Sequence, residues 1–152
     1  MRYFEDFSEG QVFELGEQQI TEEEILEFAR KFDAQPFHVD REKAARSMYG
    51  GLIASGWHTG SIYMSLLVRG LLRESASLGS AGVDELRWLK PVRPGDTLRA
   101  RLTVTSLKAS AKHPDRGIVF NLGELFNQRG EKVMFVRSSG MFARKATSPS
   151  SR

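Results

Sequence analysis

Asp33 and His38 stand five residues apart in the stretch FDAQPFHVD, residues 32–40, with Pro36 between them. On a continuous helix such positions lie about 140° apart around the axis and cannot share a target. Pro36 disfavours helical backbone at Gln35, and a turn through residues 34–36 can bring both side chains to one point. A carboxylate beside an imidazole suits general acid/base work on a water molecule, because the aspartate accepts or orients a proton while histidine titrates near neutral pH. The plainer alternative is a turn in which Asp33 accepts a backbone hydrogen bond and His38 packs half-buried.

The other chemistry-bearing residues are sparser. His58 is either a second acid/base group or a packed hydrogen-bonding residue, and His113 reads as a solvated loop residue. No two histidines have metal-ligand spacing, and there is no G-x-S-x-G elbow, Walker loop or dinucleotide fingerprint. Arg87, Lys90 and Arg93 cluster in RWLKPVRPGD. On an alternating strand Arg87 and Arg93 share a face, although Pro91 and Pro94 disturb the register; the group is either a solvated strand end or a phosphate-binding patch.

The elements that must position these residues belong to a chain of 152 residues, the length of one ordinary domain. It is 40% hydrophobic and 27% charged, a globular composition. The absence of cysteine excludes disulfides, thiolate catalysis and cysteine-based metal sites. Twenty-two Lys and Arg are scattered among 19 Asp and Glu, for a net charge of +3, which does not make a nucleic-acid binder. No export signal and no membrane-spanning apolar run is visible, so the cytoplasm is the expected location.

Along the chain, GQVFELGEQQIT alternates as a strand, and TEEE forms a capping box that starts a helix with Ile25, Phe28, Ala29 and Phe32 on one face. DREKAARSM reads as a short helix capped by Asp40. Residues 52–72 are apolar nearly all round and predict a helix buried on most sides. Its first half carries Ser55, Gly56, Thr59, Gly60 and Ser61, small residues that let another backbone or a ligand approach. Four strands follow, VDELRWLKPV, DTLRARLTVTSL, GIVFNLGELFNQ and KVMFVRSSGMFAR, with turns at RPGD and QRGE and a polar loop at KASAKHPDRG. The pattern predicts an α+β domain over residues 1–145, its antiparallel sheet wrapped around one long central helix, with a disordered tail at 146–152.

DAQPFH, then a short helix, then YGGLIASGWH at the start of the apolar helix, resembles the MaoC-like acyl dehydratases. This family of hotdog fold includes the (R)-specific enoyl-CoA hydratases. Asp33, Pro36 and His38 match the family's Asp-x-Asn-Pro-aliphatic-His signature, its helix-start glycine falls on Gly56, and WLKPVRPGDTL is similar to its strand-turn-strand. The resemblance runs from about Phe4 to Arg144. Gln35 replaces the usual asparagine and Phe37 the usual aliphatic residue. A serine that supports the aspartate in some relatives, eight residues after the glycine, is Met64 here, with Ser61 and Ser65 as possible stand-ins.

The resemblance implies reversible hydration of a trans-2-enoyl-CoA to an (R)-3-hydroxyacyl-CoA without metal or redox cofactor, with Asp33 and His38 holding the water. Gly56 N–H, at the positive end of the helix dipole, would hold the thioester oxygen, while Gly50, Gly51 and Gly60 serve turns and packing. Phe37, Ser55, Trp57 and Met64 would line the acyl site, and Arg87, Lys90 and Arg93 would meet the phosphates of coenzyme A or of an acyl carrier protein. An open edge strand, with the family's habit of pairing sheets, implies a homodimer or higher homo-oligomer. A hotdog thioesterase and a non-catalytic acyl-thioester-binding subunit are the alternatives.

Overall fold

Thr21 starts the first helix as its TEEE box requires. Its Oγ1 accepts from Glu24 N–H at 3.2 Å, and Glu24 Oε1 accepts from Thr21 N–H at 3.1 Å, a pairing worth about 1 kcal/mol. Helix α1 (Glu22–Phe32) buries Ile25, Leu26 and Ala29. Phe32, expected on that face, is instead 67% exposed and rests on Phe28 with ring centroids 5.1 Å apart. The computed structural model describes residues 1–146; the rest of the expected tail, 147–152, lies outside the described residues.

The chain leaves α1 at Asp33, whose N–H donates to Ala29 C=O at 2.8 Å. Gln35 is extended, as Pro36 demands, and Pro36 opens a single turn, α2 (Pro36–Val39). Asp40 caps α3 (Arg41–Ala45) by accepting Lys43 N–H at 3.0 Å. The apolar run from residue 52 is not helical from its start. Residues 52–55 are irregular, tied by Ala54 N–H to Val92 C=O at 2.8 Å, and α4 spans Gly56–Gly70.

Around α4 the sheet comprises β1 (Val12–Gln19), β2 (Ser77–Gly79), β3 (Val83–Trp88), β4 (Thr97–Ala109), β5 (Arg116–Phe126) and β6 (Lys132–Ala143), all pairings antiparallel. The order is β1-β4-β5-β6-β2, with β3 also paired to β6. The short β2 carries too few residues for an alternation to be read. β4 runs on to Ala109 and β5 starts at Arg116, which shortens the expected polar loop to 110–115. RPGD and QRGE turn through Gly95 and Gly130, at φ +88° and +76°.

Period-two alternation puts Leu98, Ala100, Leu102 and Val104 of β4 inside, with Arg99 and Arg101 outside. The inner residues close on Ile62, Tyr63 and Leu66 of α4, which gives the helix-in-sheet arrangement expected of a hotdog domain. The helix was expected to be covered on most sides, yet Trp57, Met64 and Val68 are 62%, 49% and 38% exposed. One sheet curls over only one side of α4, so the opposite apolar stripe stays open beside the edge strand β3.

Tyr63 of α4 lies directly on Gly123 of β5: a Cβ at Gly123 would overlap the Tyr63 hydroxyl. Gly123→Ala should therefore destabilise the fold by about 1–3 kcal/mol through overpacking. Urea unfolding of the two proteins measures it, and equal midpoints would show that the helix can lift off the sheet without cost.

Candidate active site

Three segments meet at one point: the end of α1 with Asp33, α2 with His38, and the start of α4. His38 is buried, and its Nδ1 lies 2.7 Å from the Ile53 carbonyl oxygen. A carbonyl only accepts, so Nδ1 carries a proton, and Nε2 is the ring nitrogen turned to the carboxylate, an acceptor in the neutral ring and a donor in the imidazolium. That Nε2 faces Asp33 Oδ2 at 3.3 Å. The turn through Pro36 thus brings the pair together.

Both carboxylate oxygens of Asp33 are held. Gln35 Nε2 donates to Oδ1 at 2.8 Å and Ser55 Oγ donates to Oδ2 at 2.7 Å. Partial burial raises the Asp33 pKa, but the bonds from Gln35 and Ser55 and the nearby His38 outweigh it and hold the carboxyl below its ordinary value. Asp33 is therefore ionised at neutral pH. A carboxylate oxygen and an imidazole nitrogen face one spot, an arrangement suited to a small molecule that both donates and accepts protons.

Ser55, expected to line the acyl site, is fully buried outside the lining of the cleft and supports Asp33. As the N-cap of α4 it also accepts from Trp57 N–H at 3.3 Å. No local signal joined them, because Ser55 and Asp33 are 22 residues apart. Gln35, read as a departure from a motif, turns out to be a donor to the carboxylate. Its signal was local: two residues beyond Asp33 and fixed extended by Pro36.

Asp33, Gln35, His38, Phe37, Gly56 and Trp57 line one cleft of about 440 Å³. Phe37 packs edge-on against His38 with centroids 4.6 Å apart. Gly56 is the first residue of α4, and its N–H finds no acceptor among the described residues. Glycine is required there, since a Cβ would overlap the Trp88 indole. Trp88, which the sequence reading did not select, forms a wall of the cleft and meets Trp57 edge-on at 5.1 Å.

Other expectations need correction. Met64 does not flank this cleft; it lines a separate apolar cavity of about 400 Å³. Eight residues leave it about 80° from Gly56 around the helix and carry it about 12 Å along the axis. Ser61 does not reach Asp33 either, since its Oγ donates to Trp57 C=O at 2.7 Å. The basic residues do not form one patch. Arg87 is on the outer sheet face, paired with Glu85 at 3.2 Å, because alternation turns its neighbour Leu86 inward. Arg93 sits in the turn beside Gly51. Lys90 alone of the three reaches the cleft, and it pairs with Glu131 at 2.6 Å; bonds from Lys90, Asn127 and Arg129 hold that carboxyl down to about 2. His58 stacks on Phe28 at 4.7 Å, and burial lowers its pKa against an opposing pull from Glu24. Among the described residues no group of three His, Asp or Glu side chains gathers as a metal site, and no helix is long and apolar enough to cross a membrane.

A family model described as MaoC like domain matches residues 6–120. Among solved structures, a MaoC-like dehydratase from Rhodospirillum rubrum is similar with a TM-score of 0.89 and 41% identity, over 97% of this chain and 100% of that one. An (R)-specific enoyl-CoA hydratase of the same organism is 33% identical over 114 residues, 74% of this chain and 76% of the relative. An uncharacterized protein of Bacillus subtilis is 32% identical over 129 residues, 85% of this chain and 90% of the relative.

Removing the buried hydroxyl in Ser55→Ala should raise the Asp33 pKa, read from a pH titration of its labelled carboxyl carbon by NMR. A depressed carboxylate stabilises the fold fully above its unfolded pKa, and that stability is lost as pH falls through the folded value. In Ser55→Ala the contribution should be smaller, and its loss should be complete at a higher pH. An unchanged Asp33 titration would show that the Ser55 bond does not hold in solution.

Proposed function

This chain belongs to the MaoC-like dehydratase family, and from that premise we propose that it reversibly hydrates a trans-2-enoyl thioester to a 3-hydroxyacyl thioester of R configuration on the Asp33–His38 pair. The observation that carries the reading is the pairing of Asp33 Oδ2 with His38 Nε2, 3.3 Å apart on a cleft that also presents Gly56 N–H. A water molecule held by the pair turns an oxygen lone pair toward C3 of the substrate. As the C3–O bond forms, one of the pair takes the water's proton and the alkene electrons move toward the thioester, whose oxygen is stabilised by Gly56 N–H. The enolate then collapses as C2 takes a proton back from the pair, which returns both groups to their starting state. No metal or redox partner enters these steps. The name of the R. rubrum hydratase supports the enoyl-CoA substrate and the R product.

The acyl group needs an apolar site, and the Met64-lined cavity is the apolar one. In a single chain it shares no lining residue with the Asp33 cleft. Both flank the open stripe of Trp57, Met64 and Val68 and the free edge of β3, and a second copy is the occupant we assign to that surface. A two-fold axis normal to the sheet would pair β3 with its copy and run the two α4 helices antiparallel. The Gly56 end of one would then lie beside the Met64 half of the other, which joins the two cavities across the dimer. The expected cytoplasmic location suits thioester substrates of this kind.

Loss of enoyl-thioester absorbance, followed with EDTA present over a series of chain lengths, tests the activity. The expected product is 3-hydroxyacyl-CoA. Free CoA would establish a thioesterase, and no reaction by folded protein a binding subunit. Asp33→Asn and His38→Gln should each lower kcat by at least about 10²-fold, and the double substitution should be barely worse, since the groups act as a unit. Light scattering at assay concentration should give twice the chain mass; a monomer with full activity would refute the shared site.

A further inference from the structure

The inner face of the sheet is largely apolar, and a polar cross-strand pair stands in its middle. β5 and β6 set Leu125, Gly123, Asn121 and Val119 opposite Met134, Val136, Ser138 and Gly140. Asn121 and Ser138 thus face the interior among aliphatic and glycine neighbours, and both line the same cavity as Met64, Leu67, Leu71 and Phe142.

Their hydrogen bonds are long. Ser138 Oγ donates to Asn121 Oδ1 at 3.3 Å, and Asn121 Nδ2 reaches the Val119 carbonyl at 3.5 Å. A carboxamide offers two N–H donors and two acceptor lone pairs. At least one donor and one lone pair of Asn121, with the lone pairs of Ser138, are therefore uncommitted toward a cavity lined mostly by aliphatic and aromatic side chains and glycine; its other hydroxyls are those of Ser77, Ser80 and Ser139, and among the described residues none of these bonds to the pair. Polar atoms placed this way disfavour a wholly hydrocarbon occupant, which would strip their water and return nothing.

We propose that the Asn121–Ser138 pair recognises an uncharged oxygen function, a hydroxyl or a keto group, carried on the acyl chain of the substrate. This rests on the acyl-thioester reading above and deepens it by naming the class of acyl group. The pair both donates and accepts, which fits a hydroxyl and also a carbonyl oxygen. A terminal carboxylate does not fit, because no lysine or arginine lines the cavity and an anion there would be desolvated without a counter-charge.

Saturated acyl-CoAs cannot be hydrated and so report binding apart from turnover. Calorimetry would compare octanoyl-CoA with hydroxy- and oxo-octanoyl-CoAs substituted from the fifth carbon outward, and with the matching ω-carboxylate. The result expected is that at least one oxygenated chain binds about tenfold or more tightly than octanoyl-CoA. That advantage should vanish in Asn121→Leu and in the gentler Ser138→Ala, while octanoyl-CoA binds both variants as well as or better than the native protein. Octanoyl-CoA binding as tightly as every oxygenated chain, the carboxylate binding best, or an advantage that survives both substitutions would each overturn the proposal. Binding of the whole series without hydratase activity would leave this selectivity standing and remove the hydratase reading instead. Binding of no acyl-CoA by folded protein would bring down the acyl-thioester reading and this inference with it.

Discussion

The hydrogen bond from Ser55 Oγ to Asp33 Oδ2 ties the end of α1 to the start of α4, and the arrangement of the cleft depends on it. Ser55 spends its hydrogen on the carboxylate and its lone pair on the Trp57 N–H. One buried side chain therefore sets the position of the acidic group relative to the helix terminus whose first amide is free. Ile53, two residues earlier, fixes the other partner by accepting from His38 Nδ1. The short irregular segment 52–55 holds both halves of the pair, and it is in turn anchored to the strand-side loop through Ala54 and Val92.

Rigidity at that point comes from α4. Its buried side lies against the sheet closely enough that Gly123 must lack a Cβ beneath Tyr63, and Gly70 must lack one against the Leu15 backbone. Contacts of this kind leave the helix little freedom to slide. A helix terminus that cannot shift presents its unpaired amide at a constant place, which is what stabilising a transient oxyanion requires. Gly56 follows the same logic on the other side, where it lets Trp88 close over the helix start.

The apolar face that α4 leaves uncovered and the polar pair inside its cavity are two departures from simple core packing. Trp57, Met64 and Val68 lie beside an edge strand, a combination that a second copy would bury. Asn121 and Ser138 interrupt the apolar middle of the inner face. Both make sense as features of a binding protein and neither as features of a core optimised for stability alone.

Short-range chemistry was legible in the sequence because its causes are local. The Thr21 capping box, the break at Pro36, the Asp40 cap, the turns at Gly95 and Gly130 and the alternation of β4 each follow from residues within a few positions of one another. So does the meeting of Asp33 and His38, since Pro36 supplies the turn. What supports the pair was not legible. Ser55 is 22 residues from Asp33, and Trp88 lies 32 beyond Gly56; no period or motif connects them, and only the closing of the sheet around α4 brings them into contact. Met64 shows the same limit from the other side. Its angle around the helix suggested a place beside the aspartate, but distance along the axis and the curvature of the sheet assign it to a different cavity, because proximity in a fold is decided in three dimensions and helical periodicity reports only one of them.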